Sequence, residues 1–306
     1  MKANAMHVRA TDNVQLARRS ERDMPLQSMR TAPHSARATR LPVRGMLLPH
    51  RHRPTLAALA AFYRETRTLG TPTAAHVARL DAWEADVNRV WDGTAVYHPV
   101  LSPLAARDLP RDPLLALITA QRERQRTPWY ETYDDLLTFC ARATNPLGRL
   151  VLAILGYTDD ERIEYSDALC TAVQLTAFWR DIARDYTRGR VYVPQEDMHL
   201  FGVSDDDLAW AIAHRHADTN IRAMISFEIE RVLAVLHHGA PLVTMLRGRA
   251  RLDCALVISD ARAMLAAIVR QGYDPFVTRP QLSRTARAGT LFAAVRSISE
   301  ETLHSR

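Results

Sequence analysis

From Leu47 onward, apolar positions recur at intervals of three and four, the spacing of helices with one buried face. Leu56, Leu59, Ala60 and Tyr63 form one such stripe, and Pro54 stands at a suitable first turn. Val77, Leu80 and Val87 mark a second helix over 74–92, after which Pro99, Pro103, Pro110 and Pro113 cut the chain into short connections. The pattern predicts further helices over 112–126, 132–143, 146–156, 160–186, 205–218, 219–238 and 249–271, the last closing at Gly272. Ser204 followed by Asp205, Asp206 and Asp207 reads as a cap with an acidic first turn, and Asp134 and Asp135 read as the same kind of end charge. Tyr192-Val193-Pro194 ends a short extended link. No stretch alternates with the period of a strand and no repeat is visible. The expected fold is all-α, a single helical domain over 39–290. Residues 1–38, rich in Arg, Ser and Met without a sustained period, read as a disordered extension, and 291–306 as a C-terminal tail.

Composition agrees with helices, since glycine is scarce at 11 of 306 residues and 47% of the chain is hydrophobic. The formal charge of +6 suits an anionic small substrate or a membrane surface touched from outside. Nucleic acid is not the expected partner, because basic residues are spread among 34 acidic ones without an RNA-type aromatic motif. Cys140, Cys170 and Cys254 lie in separate apolar segments, as expected of reduced, buried thiols in a cytoplasmic protein. No apolar run approaches the ~20 residues of a membrane span, and no signal-peptide block opens the chain. The pairs His50/His52, His214/His216 and His237/His238 do not put both rings on one helix face, so zinc is not expected.

The chemistry concentrates in 174–194. Asp181 and Asp185 lie one helical turn apart on one face, with Gln174 and Phe178 extending the stripe upstream. Such pairs also occur on solvated faces. A carboxylate pair can nevertheless hold Mg²⁺, which takes one or two protein carboxylates plus phosphate oxygens. Arg188 and Arg190 follow at once, and arginine forks suit phosphate, so the run reads as a diphosphate grip.

Several blocks resemble the squalene/phytoene synthases. The run from Thr138 through Phe139-Cys140 and Pro146-Leu147-Gly148-Arg149-Leu150 to Leu152 resembles their Y-C-x-x-x-A-x-P-V-G-R-L-V-L helix. Asp181 to Pro194 resembles their second aspartate-rich motif followed by G-R-x-Y-x-P. Gly239-Ala240-Pro241, Gly272-Tyr273-Asp274-Pro275-Phe276 and Arg279-Pro280 resemble their C-terminal blocks, and Leu41-Pro42-Val43 with Leu47-Leu48-Pro49 their entry to the first helix. The resemblance spans about residues 40–285. It implies a class I isoprenoid synthase fold around a central cavity, in which two aspartate-rich motifs bind diphosphates through Mg²⁺ and two allylic diphosphates join head to head.

The chain departs from that pattern at the presumed cavity. Where the family has F-x-R-x-x-D-D-I-x-D, this chain has Phe62, Arg64, Arg67, Gly70 and Pro72, so Arg64 survives and every aspartate is gone. The tyrosine before the cysteine is Phe139, and the asparagine four residues before Asp181 is Ala177. In the segment resembling D-x-x-x-x-R-Y-x-T, Arg124 replaces the aspartate and Trp129 the arginine, while Tyr130 and Thr132 stay. One retained metal motif implies an enzyme that handles one diphosphate. On that expectation Mg²⁺ on Asp181 and Asp185, with Arg64, Arg188 and Arg190, holds one allylic diphosphate of dimethylallyl length or longer. Gln174, Phe178, Phe139, Trp129 and Tyr192 contact the substrates, and Tyr130 is the catalytic phenol. The prenyl group passes through an allylic cation to carbon of an aromatic or heteroaromatic acceptor, as in phytoene-synthase-like prenyltransferases of carbazole-type rings. Two alternatives stand beside it: head-to-head condensation to squalene-, hydroxysqualene- or phytoene-type products, with arginines holding the second diphosphate, and a non-catalytic binding or assembly protein.

Overall fold

A computed structural model describes residues 50–71, 73–94, 98–283, 285–286, 288–290 and 294. The expected extension at 1–38, the entry motif at 41–49, Pro72 and nearly all of the expected tail lie outside the described residues.

The described residues form twelve α-helices and no strands. They are α1 (Arg53–Thr68), α2 (Ala74–Trp91), α3 (Ser102–Ala105), α4 (Asp112–Arg126), α5 (Tyr133–Ala143) and α6 (Asn145–Leu155). After these come α7 (Asp160–Tyr186), α8 (Gln195–Leu200), α9 (Asp205–His214), α10 (Thr219–Gly239), α11 (Leu242–Met245) and α12 (Gly248–Arg270). A 3₁₀ turn at His50–His52 precedes α1, which has Pro54 in its first turn and ends before Gly70. Thr132 and Ser204 close capping boxes with Asp135 and Asp207, so both acidic runs serve helix ends as expected.

Two features differ from the sequence reading. The helix predicted over 205–218 stops at His214, where Arg215 turns left-handed (φ 54°) and bonds the Val277 carbonyl. Asp218 caps α10 instead, its carboxylate taking the Ile221 N–H at 2.8 Å. The one-turn helices α3, α8 and α11 fall in segments too short to show a period.

The 27-residue α7 is the axis of the molecule, packed by α5, α6, α10, α11 and α12. It is buried on several sides, with Leu169, Ala172, Leu175 and Trp179 all inside. Two glycines allow the closest approaches. A Cβ on Gly148 of α6 would fall 2.4 Å from Ser166 Oγ, and one on Gly239 of α10 would fall 2.9 Å from the Tyr165 carbonyl. The motifs around Gly148 and Gly239 thus set the spacing of α6 and α10 against α7. On the other side, α4 packs on α1, α5 and α6 and brings the end of α1 toward the C-terminal turns of α7.

Candidate functional site

The last turns of α7 carry Asp181 and Asp185, both buried despite their charge. Gly189 then adopts φ 70°, which a glycine accepts without strain, and the Arg190 N–H returns to the Asp185 carbonyl at 3.0 Å. The chain leaves extended, with Val191 N–H on the Pro128 carbonyl (2.8 Å) and Gln195 N–H on that of Tyr130 (2.9 Å). This pairing lays Tyr192 beside Tyr130 and keeps both under the foot of α7.

The two aspartates have different surroundings. Asp181 accepts from Arg180 (3.2 and 2.6 Å), Arg184 (2.7 Å) and Arg279, which fills both of its oxygens. Burial would raise its pKa, but the bonds from Arg180 and Arg279 and the nearby positive charge outweigh that and hold it below the usual carboxylate range. Asp185 keeps a buried Oδ1 with no hydrogen-bond partner among the described residues. Burial raises its pKa, against the opposing charges of Arg124 and Arg184.

Aromatic rings form the wall above them. Phe178 stacks on Tyr192 with centroids 3.7 Å apart, while Phe139 lies 5.4 Å from Tyr130 and 6.4 Å from Phe178. The hydroxyls of Tyr130 and Tyr192 are buried without partners, and burial raises both pKa values, so each phenol keeps its proton. Arg124 stands 5.9 Å from the Tyr192 ring and has a buried, unpartnered Nε. From α1, Arg67 donates to the Tyr63 hydroxyl at 3.1 Å. Its burial works against the charge, but the Tyr63 hydroxyl, Tyr192 and Asp185 favour it and raise the pKa overall. Arg190 donates to the Gly70 carbonyl at 2.7 Å, and Gln125 to that of Leu69 at 2.6 Å, so the end of α1 is held against this cluster. Toward the other half of α7 lies a mostly apolar cleft, lined by Gly148, Val151, Leu155, Leu169, Leu246 and Cys254 among others.

Of the residues singled out in the sequence, Asp181, Asp185, Arg190, Tyr192, Tyr130, Phe139 and Phe178 come together here. Gln174 is buried one turn before Phe178, and Arg188 is exposed but close enough to act on the charge of Asp185. Two others are not brought into this cluster. Trp129 is 55% exposed: in the extended stretch at 128–130 neighbouring side chains point to opposite sides, and Tyr130 takes the inside. Arg64 is exposed too, because Tyr63 and Arg67, four apart, occupy the inward face of α1. The sequence reading set Arg67 and Arg124 at the presumed cavity without giving them a role there, and did not place Arg180, Arg184 and Arg279 in the site. Arg180 and Arg184 could have been found from their positions one before and three after Asp181. Arg279 arrives from 98 residues away, and only its place in an Arg-Pro motif hinted at it.

Mg²⁺ fits this donor set through Asp185, whose free oxygen is buried beside it. Asp181 could join only by giving up one of its arginines. Among the described residues no group of three or more His, Cys, Asp or Glu could hold a metal, but Mg²⁺ bound to a diphosphate does not need one. No helix among the described residues is long and apolar enough to cross a membrane.

Residues 38–286 match the squalene/phytoene synthase family. The chain is 28% identical over 252 residues to a 15-cis-phytoene synthase of Synechococcus elongatus, covering 76% of this chain and 80% of that one. It is 27% identical over 260 residues to a phytoene synthase of Mycobacterium tuberculosis, covering 82% and 84%. The squalene synthase HpnC of Alicyclobacillus acidocaldarius superposes with a TM-score of 0.71 at 38% identity, over 76% of this chain and 88% of that one. A dehydrosqualene synthase shares the fold with a TM-score of 0.75 at 22% identity, over 84% and 90%. The chain therefore belongs to the squalene/phytoene synthase family, prenyltransferases of isoprenoid biosynthesis that condense prenyl diphosphates head to head, and its fold is the all-α isoprenoid synthase fold. These likenesses favour the head-to-head alternative over transfer to an aromatic ring.

Proposed function

We propose that this member of the squalene/phytoene synthase family couples two allylic prenyl diphosphates head to head. The observation that carries the reading is the buried, unpartnered oxygen of Asp185, set among arginines at the foot of the Tyr130, Phe139, Phe178 and Tyr192 rings. A neutral aromatic acceptor would have no use for Arg67 and Arg124, which stand where the missing aspartates would have left room.

Asp185, with Asp181 once an arginine is released, would hold Mg²⁺, which as a Lewis acid neutralises charge on the departing diphosphate. Arg180, Arg184 and Arg279 are already gathered on Asp181 and lie ready to bond diphosphate oxygens. The C–O bond of one substrate breaks with its electron pair leaving on diphosphate. The double bond of the second chain attacks the allylic cation to form the new C–C bond, and loss of a proton gives a coupled intermediate that still carries the second diphosphate. Departure of that diphosphate with its electron pair and loss of a second proton then give the hydrocarbon. Phe178, Tyr192 and Phe139 turn ring faces toward the cation and exclude water. Tyr130, which keeps its proton, acts as a neutral donor to the diphosphate rather than as a base. The cleft between α6, α7, α11 and α12 takes a prenyl tail.

The test is incubation with geranyl, farnesyl or geranylgeranyl diphosphate and Mg²⁺, with and without indole- or carbazole-type acceptors. An acceptor-independent hydrocarbon of two chain lengths is the expected product. An acceptor carrying one prenyl group, and no such hydrocarbon, would overturn the reading.

A further inference from the structure

The proposed coupling needs a place for a second diphosphate, and the first aspartate motif that would hold it through metal is missing. Two of the positions lost to charge reversal, Arg67 and Arg124, are 57 residues apart in the chain but both act on Tyr192. Arg124 stands 5.9 Å from the Tyr192 centroid, while Arg67, fixed by the Tyr63 hydroxyl, lies where Tyr192 and Asp185 both stabilise its charge. Arg190 acts on the same ring from the end of α7 and is braced by the Gly70 carbonyl at 2.7 Å. Three guanidinium groups thus face one free carboxylate, that of Asp185.

The polar atoms at this spot are also short of partners. Arg124 Nε and the hydroxyls of Tyr130 and Tyr192 are buried, with no hydrogen-bond partner among the described residues, and the two tyrosines are only 4% and 6% exposed. Leaving a buried polar group unmet is costly, so three groups able to donate at one spot mark a place where an acceptor binds. Each of them can donate a hydrogen bond, which suits an anion rich in oxygens.

We propose that Arg67, Arg124 and Arg190, with the hydroxyls of Tyr130 and Tyr192, form a metal-independent subsite for the diphosphate of the second prenyl substrate. The proposal rests on the head-to-head reading given above. Fixed arginine charge does here what Mg²⁺ on an aspartate motif would otherwise do, so only one of the two diphosphates needs metal.

Isothermal titration of the full chain tests this without turnover, so its failure is read separately from failure of the product assay. With EDTA present, inorganic pyrophosphate is expected to bind at one site, and the non-ionisable farnesyl S-thiolodiphosphate to bind there more tightly. Arg67→Gln and Arg124→Gln should each weaken metal-free binding about tenfold or more, the worth of one charge-assisted hydrogen bond. Adding Mg²⁺ should bring a second equivalent of the thiolodiphosphate, which Asp185→Asn removes while the metal-free equivalent stays. The Mg²⁺-dependent equivalent, retained in both arginine variants, shows that they are folded. Absence of binding in EDTA, or unchanged affinity in both arginine variants, would overturn the subsite. Binding of pyrophosphate but not of the thiolodiphosphate would overturn its assignment to a substrate, since the site would then only hold released diphosphate.

Discussion

Replacing Glu228 by glutamine should stabilise the protein, increasingly so as the pH rises. Glu228 of α10 is 1% exposed and sits against Asp197 and Tyr133. The cation beside it, Arg231, is committed to Asp197 at 2.6 Å and stands 3.7 Å from Glu228, out of hydrogen-bond reach. Burial and the Asp197 charge push the Glu228 pKa up to about 9, from 4.5 for an ordinary glutamate. The folded state therefore holds a proton that the unfolded chain has lost. Its contribution to stability is complete below pH 4.5, declines between pH 4.5 and about 9, and is gone above that. At about 1.4 kcal/mol per pH unit, the penalty at pH 7 is about 3 kcal/mol, an upper bound because Asp197 and Arg231 share the site. Glu228→Gln removes the titration and keeps the volume. Thermal unfolding followed by circular dichroism from pH 5 to 9 should show Tm higher by roughly 5–10 °C at neutral pH, with a flatter pH profile than the parent. An equal or lower Tm at pH 8, with a parallel profile, would refute the reasoning.

Gly239→Ala should destabilise by about 1–3 kcal/mol, read as a lowered midpoint in urea, because its Cβ would meet the Tyr165 carbonyl, which as backbone cannot move aside. Asp181→Asn and Asp185→Asn should each slow Mg²⁺-dependent diphosphate release about a thousandfold, Asp181→Asn also lowering Tm because it strips three arginines of their carboxylate; near-parental rates would remove them from the chemistry. Trp129→Ala and Arg64→Ala, both at exposed positions, should leave kcat/KM within about twofold and stability within about 0.5 kcal/mol. A tenfold loss in either would return that residue to the site.

The long helices were legible because burial on one face writes a period into the sequence, and α4 to α7 start and stop within a residue or two of where that period predicts. Asp181 and Asp185 were legible for the same reason, as a spacing on one helix. What could not be read is where separate elements meet. Nothing local to Arg67 or Arg124 says that α1 and α4 bring both to bear on Tyr192, or that Arg279 crosses to Asp181. The exposure of Trp129 was not legible, because the identity of an aromatic residue does not say which side of an extended stretch it takes. Chemistry carried within one helix could be read from the chain, whereas chemistry shared between helices required the fold.

Head-to-head coupling puts two prenyl chains into each product. Incubating the protein and Mg²⁺ with an equal mixture of ordinary and perdeuterated farnesyl diphosphate, then weighing the product by mass spectrometry, counts those chains directly. Light, mixed and heavy species together are the predicted result. Light and heavy species without the mixed one, whatever acceptor is added, would mean one chain per product and would contradict the account.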